Sequence, residues 1–375
     1  MKGLYIHIPF CKQACTYCNF HFSTNLRRKA EVVQALLMEL ELRCSADDHD
    51  VELSSIYLGG GTPSLLSRND LHTLFDAIKS HTRLTHDIEI TLEANPDDLD
   101  QSKLEMLADS PVNRLSIGVQ SFDQRDLTYM HRAHNVEQAH TAISNAKSMG
   151  FSNISIDLIY GVPGMSKMDW QENLSIAFDY EIMHLSCYAL TVEERTTLAH
   201  QVKTGQLPAP APEDAESHFR MLMDQAIVSG YRHYEISNFA KQGYVAKHNT
   251  SYWKNQSYMG IGPSAHSFDG KARSWNVANN IKYVKAIQSG ILPETIEVLT
   301  TSDRYNEYVM TGLRTDWGCR LENMLAFGTK YVNHFQANMV PYIKDGLVIC
   351  ESETYVLSTE GKLFADRIAS DLFVV

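Results

Sequence analysis

The stretch Leu4-Tyr5-Ile6-His7-Ile8-Pro9-Phe10-Cys11-Lys12-Gln13-Ala14-Cys15-Thr16-Tyr17-Cys18 joins a short apolar run to three thiols within eight residues, at C-x3-C-x2-C spacing. Residues 4–8 have the length and composition of a strand, so the thiols fall on the loop that leaves its carboxyl end. Thiolates this close can converge on one metal centre, and cysteine-only runs usually serve iron–sulfur clusters. Structural zinc takes four ligands from two paired arms; no second arm follows here, the next residues being Asn19 and Phe20. A four-iron cluster on three cysteines leaves one iron open to a substrate or cofactor. The competing reading is three cysteines packed as small hydrophobes, which suits three in one loop poorly.

Outward from this loop the chain alternates short strands with amphipathic helices. Strands are expected over 4–8, 54–58, 87–92, 114–118, 153–158 and 183–188, with helices over 26–43, 68–80, 101–109, 124–130, 136–149 and 168–178. In the first helix Val33, Leu36, Leu37 and Leu40 share a face. In the third strand Ile88, Ile90 and Leu92 alternate, and the run stops before Asn95-Pro96. Such repeats predict an α/β fold with a parallel sheet curled into a barrel. A closed barrel needs eight units in about 250 residues. The six found predict an open, partial (β/α)6 TIM-type barrel over residues 1–205.

The Pro/Gly-rich stretch at 205–212 reads as a lid or linker. A helix over 213–229, a strand over 232–236 and a helix over 281–289 make residues 206–295 an extension of the barrel. From residue 296 the pattern changes. Ser302 is placed as the cap of a helix ending at 313, followed by helices over 321–326 and 329–344, strands over 346–350 and 354–357, and a helix from 359. That order predicts a small C-terminal winged-helix-like domain over 296–375. Such modules often bind DNA, but residues 301–375 hold seven Lys plus Arg against ten Asp plus Glu, a net of −3. The whole chain of 375 residues carries −12, which argues against a nucleic-acid-binding surface, and no nucleic-acid partner is expected.

An apolar share of 44% and a charged share of 21% are ordinary for a soluble protein. The amino terminus has no signal-peptide pattern and no stretch reaches 18 consecutive apolar residues, which leaves peripheral membrane contact open. Seven cysteines, three of them clustered, fit a reducing compartment. A cytoplasmic protein is expected.

Ligands of parallel barrels sit at the carboxyl ends of the strands. Those ends carry the cysteine loop, Gly59-Gly60-Gly61-Thr62, Glu93, Gly118-Val119-Gln120, Asp157, and Tyr188-Ala189. A triple glycine alone is a flexible turn; after a strand it lets backbone approach a ligand closely. Glu93 and Gln120 suit ribose hydroxyls or ordinary rim hydrogen bonds. Arg132 suits a carboxylate or a surface salt bridge. Asp157 is a charge in an apolar strand, costly without a partner.

The cysteine spacing and the word Tyr5-Ile-His-Ile-Pro-Phe-Cys11 strongly resemble the radical S-adenosylmethionine superfamily, within it the oxygen-independent coproporphyrinogen III oxidase family and its HemW-type haem-chaperone branch, over essentially the whole chain. The resemblance implies a [4Fe-4S] cluster on Cys11, Cys15 and Cys18. It also implies S-adenosylmethionine on the open iron, cleaved by an electron from the cluster to a 5'-deoxyadenosyl radical. Tyr5, Gly60, Gly61, Thr62, Glu93, Gln120, Arg132, Asp157 and Ala189 match its adenosylmethionine positions, and Tyr17 would stack near the adenine. The oxidases carry a fourth cysteine two residues after the third; here that position is Phe20, which argues against coproporphyrinogen decarboxylation, the alternative function. His248-Asn249-Thr250-Ser251-Tyr252-Trp253 matches the H-N-x-x-Y-W word of the chaperone branch, implying haem at His248 and Tyr252; taken alone it reads as a surface loop with a buried Trp. The further partners implied are apo-haemoproteins of respiratory type, an electron donor such as flavodoxin or ferredoxin, and a second copy in a homodimer.

Overall fold

In a computed structural model, which describes residues 3–44 and 51–374, parallel strands follow one another in chain order. They are β1 (Gly3–Ile8), β2 (Glu52–Gly60), β3 (Arg83–Ala94), β4 (Arg114–Gln120), β5 (Ile154–Tyr160) and β6 (His184–Ala189). Each crossover carries a helix on the outer face. The first, Lys29–Cys44, buries Val32, Val33, Leu36 and Leu40, with Leu37 only half-buried. The next, Arg68–His81, starts where the sequence offers Ser67 and Asp70: each side chain accepts the other's backbone N–H.

Both faces of the barrel strands are buried near the mouth. Ile56, Leu58, Ile90, Leu92, Leu115 and Ile117 pack outward under the helices. The alternate residues point inward, and their pairings run Tyr5↔Tyr57, Tyr57↔Thr91, Thr91↔Arg114, then Glu93↔Ser116, Ser116↔Ser155 and Ser155↔His184. The interior is therefore polar, unlike the branched apolar layers that fill a closed barrel. Asp157 is accordingly not an isolated charge in an apolar strand. It belongs to this polar stripe, opposite Ser186.

The sheet does not stop at six strands. β7 (Arg232–Glu235) and β8 (Asn238–Ala240) continue it antiparallel beyond β6. On the other side β9 (Tyr258–Ile261) pairs parallel with β1. β10 (His266–Phe268), β11 (Ala272–Asn276) and β12 (Glu294–Val298) follow antiparallel, completing a twelve-stranded sheet among the described residues. Only the strand at 232–236 was legible among these, since strands of three to five residues are too short to show a clear periodicity. Gly260 lets β9 and β10 close up: a Cβ there would stand 1.9 Å from the His266 carbonyl oxygen. The expected linker at 205–212 lies between two helices, Thr197–Lys203 and Pro212–Val228, of which the first was not anticipated.

The C-terminal unit holds the helices Thr301–Leu313, Leu321–Met324, Thr329–Lys344 and Ala365–Asp371. Beside them lies a small antiparallel sheet of β13 (Cys319–Arg320), β14 (Val348–Glu351) and β15 (Thr354–Leu357), in the order β13-β15-β14. Its own core includes Tyr305, Val309, Phe335, Met339 and Leu372. The cap of its first helix is Thr300, through a reciprocal pair with Asp303, and not Ser302; the Ser302 hydroxyl pairs with Tyr331 instead. The unit joins the barrel extension through Ile236 N–H to the Arg314 carbonyl (3.0 Å) and the Arg273–Glu307 ion pair (2.9 Å). Among the described residues no helix is long and apolar enough to cross a membrane.

Candidate cofactor site at the barrel mouth

The cysteine loop is fastened at several points. Cys11 N–H donates to the Ser23 carbonyl (3.1 Å), Thr16 N–H to Met130 (3.2 Å), and Leu198 N–H to the Thr16 carbonyl (2.7 Å). Cys11, Cys15 and Cys18 are half-buried free thiols. Burial first, then the nearby charges of Cys18 and Cys15, push the Cys11 thiol up to about 11; burial also raises Cys18. Mutual repulsion of this kind needs positive charge between the thiolates before all ionise. Among the described residues no three His, Cys, Asp or Glu side chains close into a cage for a single ion. Three thiols on one loop beside the strand ends are the donor set that a cuboidal iron–sulfur cluster takes.

The glycine turn after β2 is stitched to that loop. Gly61 N–H donates to the Ile8 carbonyl (2.9 Å) and Thr62 N–H to Phe10 (2.7 Å). A Cβ on Gly61 would stand 2.6 Å from the Phe10 oxygen, and one on Gly60, at φ 104°, would strike the His7 ring. Side chains are excluded here, which leaves a backbone cradle beside the thiols.

Two groups of side chains face the mouth. In one, Arg132 Nη2 donates to Asn95 Oδ1 (2.7 Å) and the Gly118 carbonyl (2.8 Å), while Nη1 lies 3.4 Å from both Cys15 Sγ and the Tyr17 hydroxyl. Arg132 Nε is buried with no partner. Gln120 sits at φ 68°, a left-handed position rare for a side chain of its size. Its amide lies over Gly118 so closely that a Cβ there would stand 2.9 Å from Gln120 Nε2. In the other group, Glu93 accepts from the Tyr57 hydroxyl (2.7 Å) and Gly60 N–H (3.1 Å). Burial, with the charge of Asp157, raises Glu93 to about 7; burial likewise raises Asp157 to about 6, against Ser186 and the arginines Arg114 and Arg132. Asn95 Nδ2, donating to Thr62 Oγ1 (3.2 Å), bridges the two groups.

A guanidinium with a free N–H, a backbone cradle, and paired carboxyls poised near neutrality suit a zwitterionic ligand bearing a carboxylate and hydroxyls. Ala189 is half-buried at the end of β6. Tyr5 lies deeper, donating to His7 Nδ1 (3.1 Å). Asn95, Tyr57 and Ser186 escaped the sequence reading. Tyr57 could have been found by period, standing two residues before Gly59 on the inward side of β2.

His248 and Tyr252 are placed differently from expectation. They belong to a helix, Lys247–Trp253, that closes the amino-terminal end of the barrel. His248 is 1% exposed. Its Nδ1 pairs with Ser55 Oγ (2.9 Å), its Nε2 with the Tyr252 hydroxyl (2.7 Å), and its backbone N–H with Glu89 (3.0 Å). The Tyr57 ring stacks on it at 5.2 Å. Both ring nitrogens are thus hydrogen-bonded, and His248 lies inside the barrel and not in a surface loop. Tyr252 reaches the wall of a cavity of about 550 Å3, enclosed by Asn19 and Phe20 of the cysteine loop, the strands β9–β11 and the helix Thr301–Leu313.

The chain matches the Radical SAM superfamily over residues 5–176. It is 34% identical to the haem chaperone HemW of Bacillus subtilis (strain 168) over 376 residues, covering 98% of each chain. With HemW of Mycobacterium tuberculosis (strain ATCC 25618 / H37Rv) it shares 33% identity, covering 99% of this chain and 94% of the relative. Coproporphyrinogen III oxidase (HemN) from Escherichia coli, a radical SAM enzyme, has the same fold, with a TM-score of 0.85 over 99% of this chain and 90% of that one, at 21% identity. The likeness to the oxidase is one of architecture, whereas the likeness to the chaperones runs through the sequence from end to end, and the chain belongs to the HemW family of radical S-adenosylmethionine proteins.

Proposed function

We propose that this protein binds haem and hands it to apo-haemoproteins, with a [4Fe-4S] cluster on Cys11, Cys15 and Cys18 and S-adenosylmethionine across the adjoining strand ends. The observation that carries the reading is the aromatic, histidine-bearing cavity opening beside the cysteine loop, in a chain similar along its length to haem chaperones. Held by Cys11, Cys15 and Cys18, such a cluster would supply single-electron chemistry to a sulfonium ligand. The chain's own residues do the rest. The Arg132 guanidinium serves the methionine carboxylate, and the Gly60-Gly61 turn brings backbone against it. Glu93 and Gln120 take ribose hydroxyls, with Tyr57 and Gly60 orienting the Glu93 carboxyl. Asp157, steadied by Ser186 and the arginines, completes the rim, with Tyr5, Thr62, Tyr17 and Ala189 as its remaining walls. Recipients are apo-haemoproteins of respiratory type, the electron donor is flavodoxin or ferredoxin, and the setting is the cytoplasm, with the membrane surface and a second copy as further contacts.

The test is anaerobic. The reconstituted protein is titrated with hemin and then mixed with an apo-cytochrome, and the Soret band is followed from donor to recipient. Transfer is expected. Absence of hemin binding, or brisk conversion of coproporphyrinogen III to protoporphyrinogen with reductant and S-adenosylmethionine, would overturn the reading.

A further inference from the structure

The cavity beside the cysteine loop is bordered by three histidines, and their hydrogen bonds distinguish them. His7 is engaged at both ring nitrogens, by the Tyr5 hydroxyl (3.1 Å) and the His21 carbonyl (2.8 Å). His21 uses Nε2 on Asn280 Oδ1 (2.7 Å). His266, exposed on β10, has no hydrogen bond at either ring nitrogen among the described residues. Its ring is nevertheless held: it stacks on Trp275, its cross-strand partner, with centroids 5.9 Å apart and planes at 28°. Its backbone is fixed by the close approach that only glycine at 260 allows. A positioned imidazole with a free nitrogen is what an iron ligand requires.

The rest of the cavity suits a flat, largely apolar ring with acidic edges. Phe20, 68% exposed, stands at the rim, with Trp253, Tyr258 and Phe268 on the walls. Stacking on such rings favours an extended aromatic ligand. Arg273 gives one nitrogen to Glu307, while its Nε is buried without a partner; Trp253 Nε1 is buried without a partner too. Arg273 borders the cavity, and a guanidinium fork matches a carboxylate.

We infer that His266, and not His248, ligates the haem iron, in the cavity between the cysteine loop and the helix Thr301–Leu313, with Arg273 receiving a propionate. The inference rests on the haem-binding reading above and specifies its site. The probe is hemin titrated into the full-length, cluster-reconstituted protein, followed by its Soret band. His266→Ala is expected to weaken hemin binding by about tenfold or more and to shift the band. Binding of metal-free protoporphyrin IX should stay unchanged, because that ring offers no iron. In His266→Gly, added imidazole should restore the wild-type band. Since His266 is exposed and outside the core, iron and sulfide content should match wild type, which verifies folding. If wild type binds hemin and His266→Ala gives the same band and affinity, the inference is overturned while the haem reading stands, and His21→Ala becomes the next ligand to test. If hemin and metal-free protoporphyrin lose affinity equally in His266→Ala, His266 is a wall and not a ligand. If wild type binds no hemin, the haem reading itself falls.

Discussion

Arg132 shows how one side chain ties the mouth together. It touches the cysteine loop, the end of β4 and Asn95 at once, and keeps Nε unpaired. Arg132→Ala should therefore weaken S-adenosylmethionine binding by roughly tenfold or more, the loss of a charge-assisted bond of about 1.5–3 kcal/mol. Calorimetric titration of the reconstituted variant checks it; unchanged affinity with full iron content would remove Arg132 from the ligand's contacts. Glu93 has a signature in pH. In the fold it holds its proton up to about 7, against an ordinary 4.5. Between those values the native protein binds a proton that the unfolded chain releases, so stability falls as pH rises from 4.5 to 7. Glu93→Gln should flatten that stretch of the melting profile, removing a decline of up to about 3 kcal/mol; Asp157 leaves a residual slope of the same sign. A variant with the wild-type slope would show that Glu93 is ionised throughout. At this scale the cysteines were legible because a spacing is local. Asn95 and Tyr57 were not, because their meaning depends on which neighbour lies across the barrel.

The helix Lys247–Trp253 is an element the sequence hid. It has seven residues and no side-chain cap, and Asn249 and Thr250 are poor helix formers. Its existence rests on tertiary contacts: Ser55, Glu89 and Tyr57 receive His248, and Gly3 leaves room for the imidazole, since a Cβ there would stand 3.2 Å from it. The word H-N-x-x-Y-W is thus explained in part by packing, with His248 and Tyr252 at i and i+4 on one face. His248→Ala should destabilise the protein by about 2–3 kcal/mol, because it strands the buried Ser55 hydroxyl and opens a void beneath Tyr57. Urea unfolding would show a lower midpoint at unchanged slope; an unmoved midpoint would mean the imidazole packs loosely. The inward polar stripe was half legible in the same way. Its period of two is present in β3, but Glu89, Thr91 and Glu93 look solvent-facing until the barrel curls around them.

Over the whole molecule, the cluster loop and the cavity share a boundary while their ligands come from different places. The thiols lie between β1 and the first helix; His266 and Arg273 come from the antiparallel strands beyond β9, and Glu307 from the C-terminal unit. Cluster and haem are then separable. Cys11→Ala, Cys15→Ala or Cys18→Ala should each abolish the cluster, measured as iron and acid-labile sulfide, because a cube short of one of its three thiolates loses its anchorage. Hemin should still bind each variant with the wild-type band position, because its proposed ligand on β10 is untouched. Affinity should fall by only about threefold, less than 1 kcal/mol, as the loop carrying Phe20 loosens at the rim. A variant that kept its full cluster would remove that cysteine from the ligand set. Loss of the band together with the cluster would place the haem ligand on the cysteine loop itself, and would make His21, three residues beyond Cys18, the side chain to pursue.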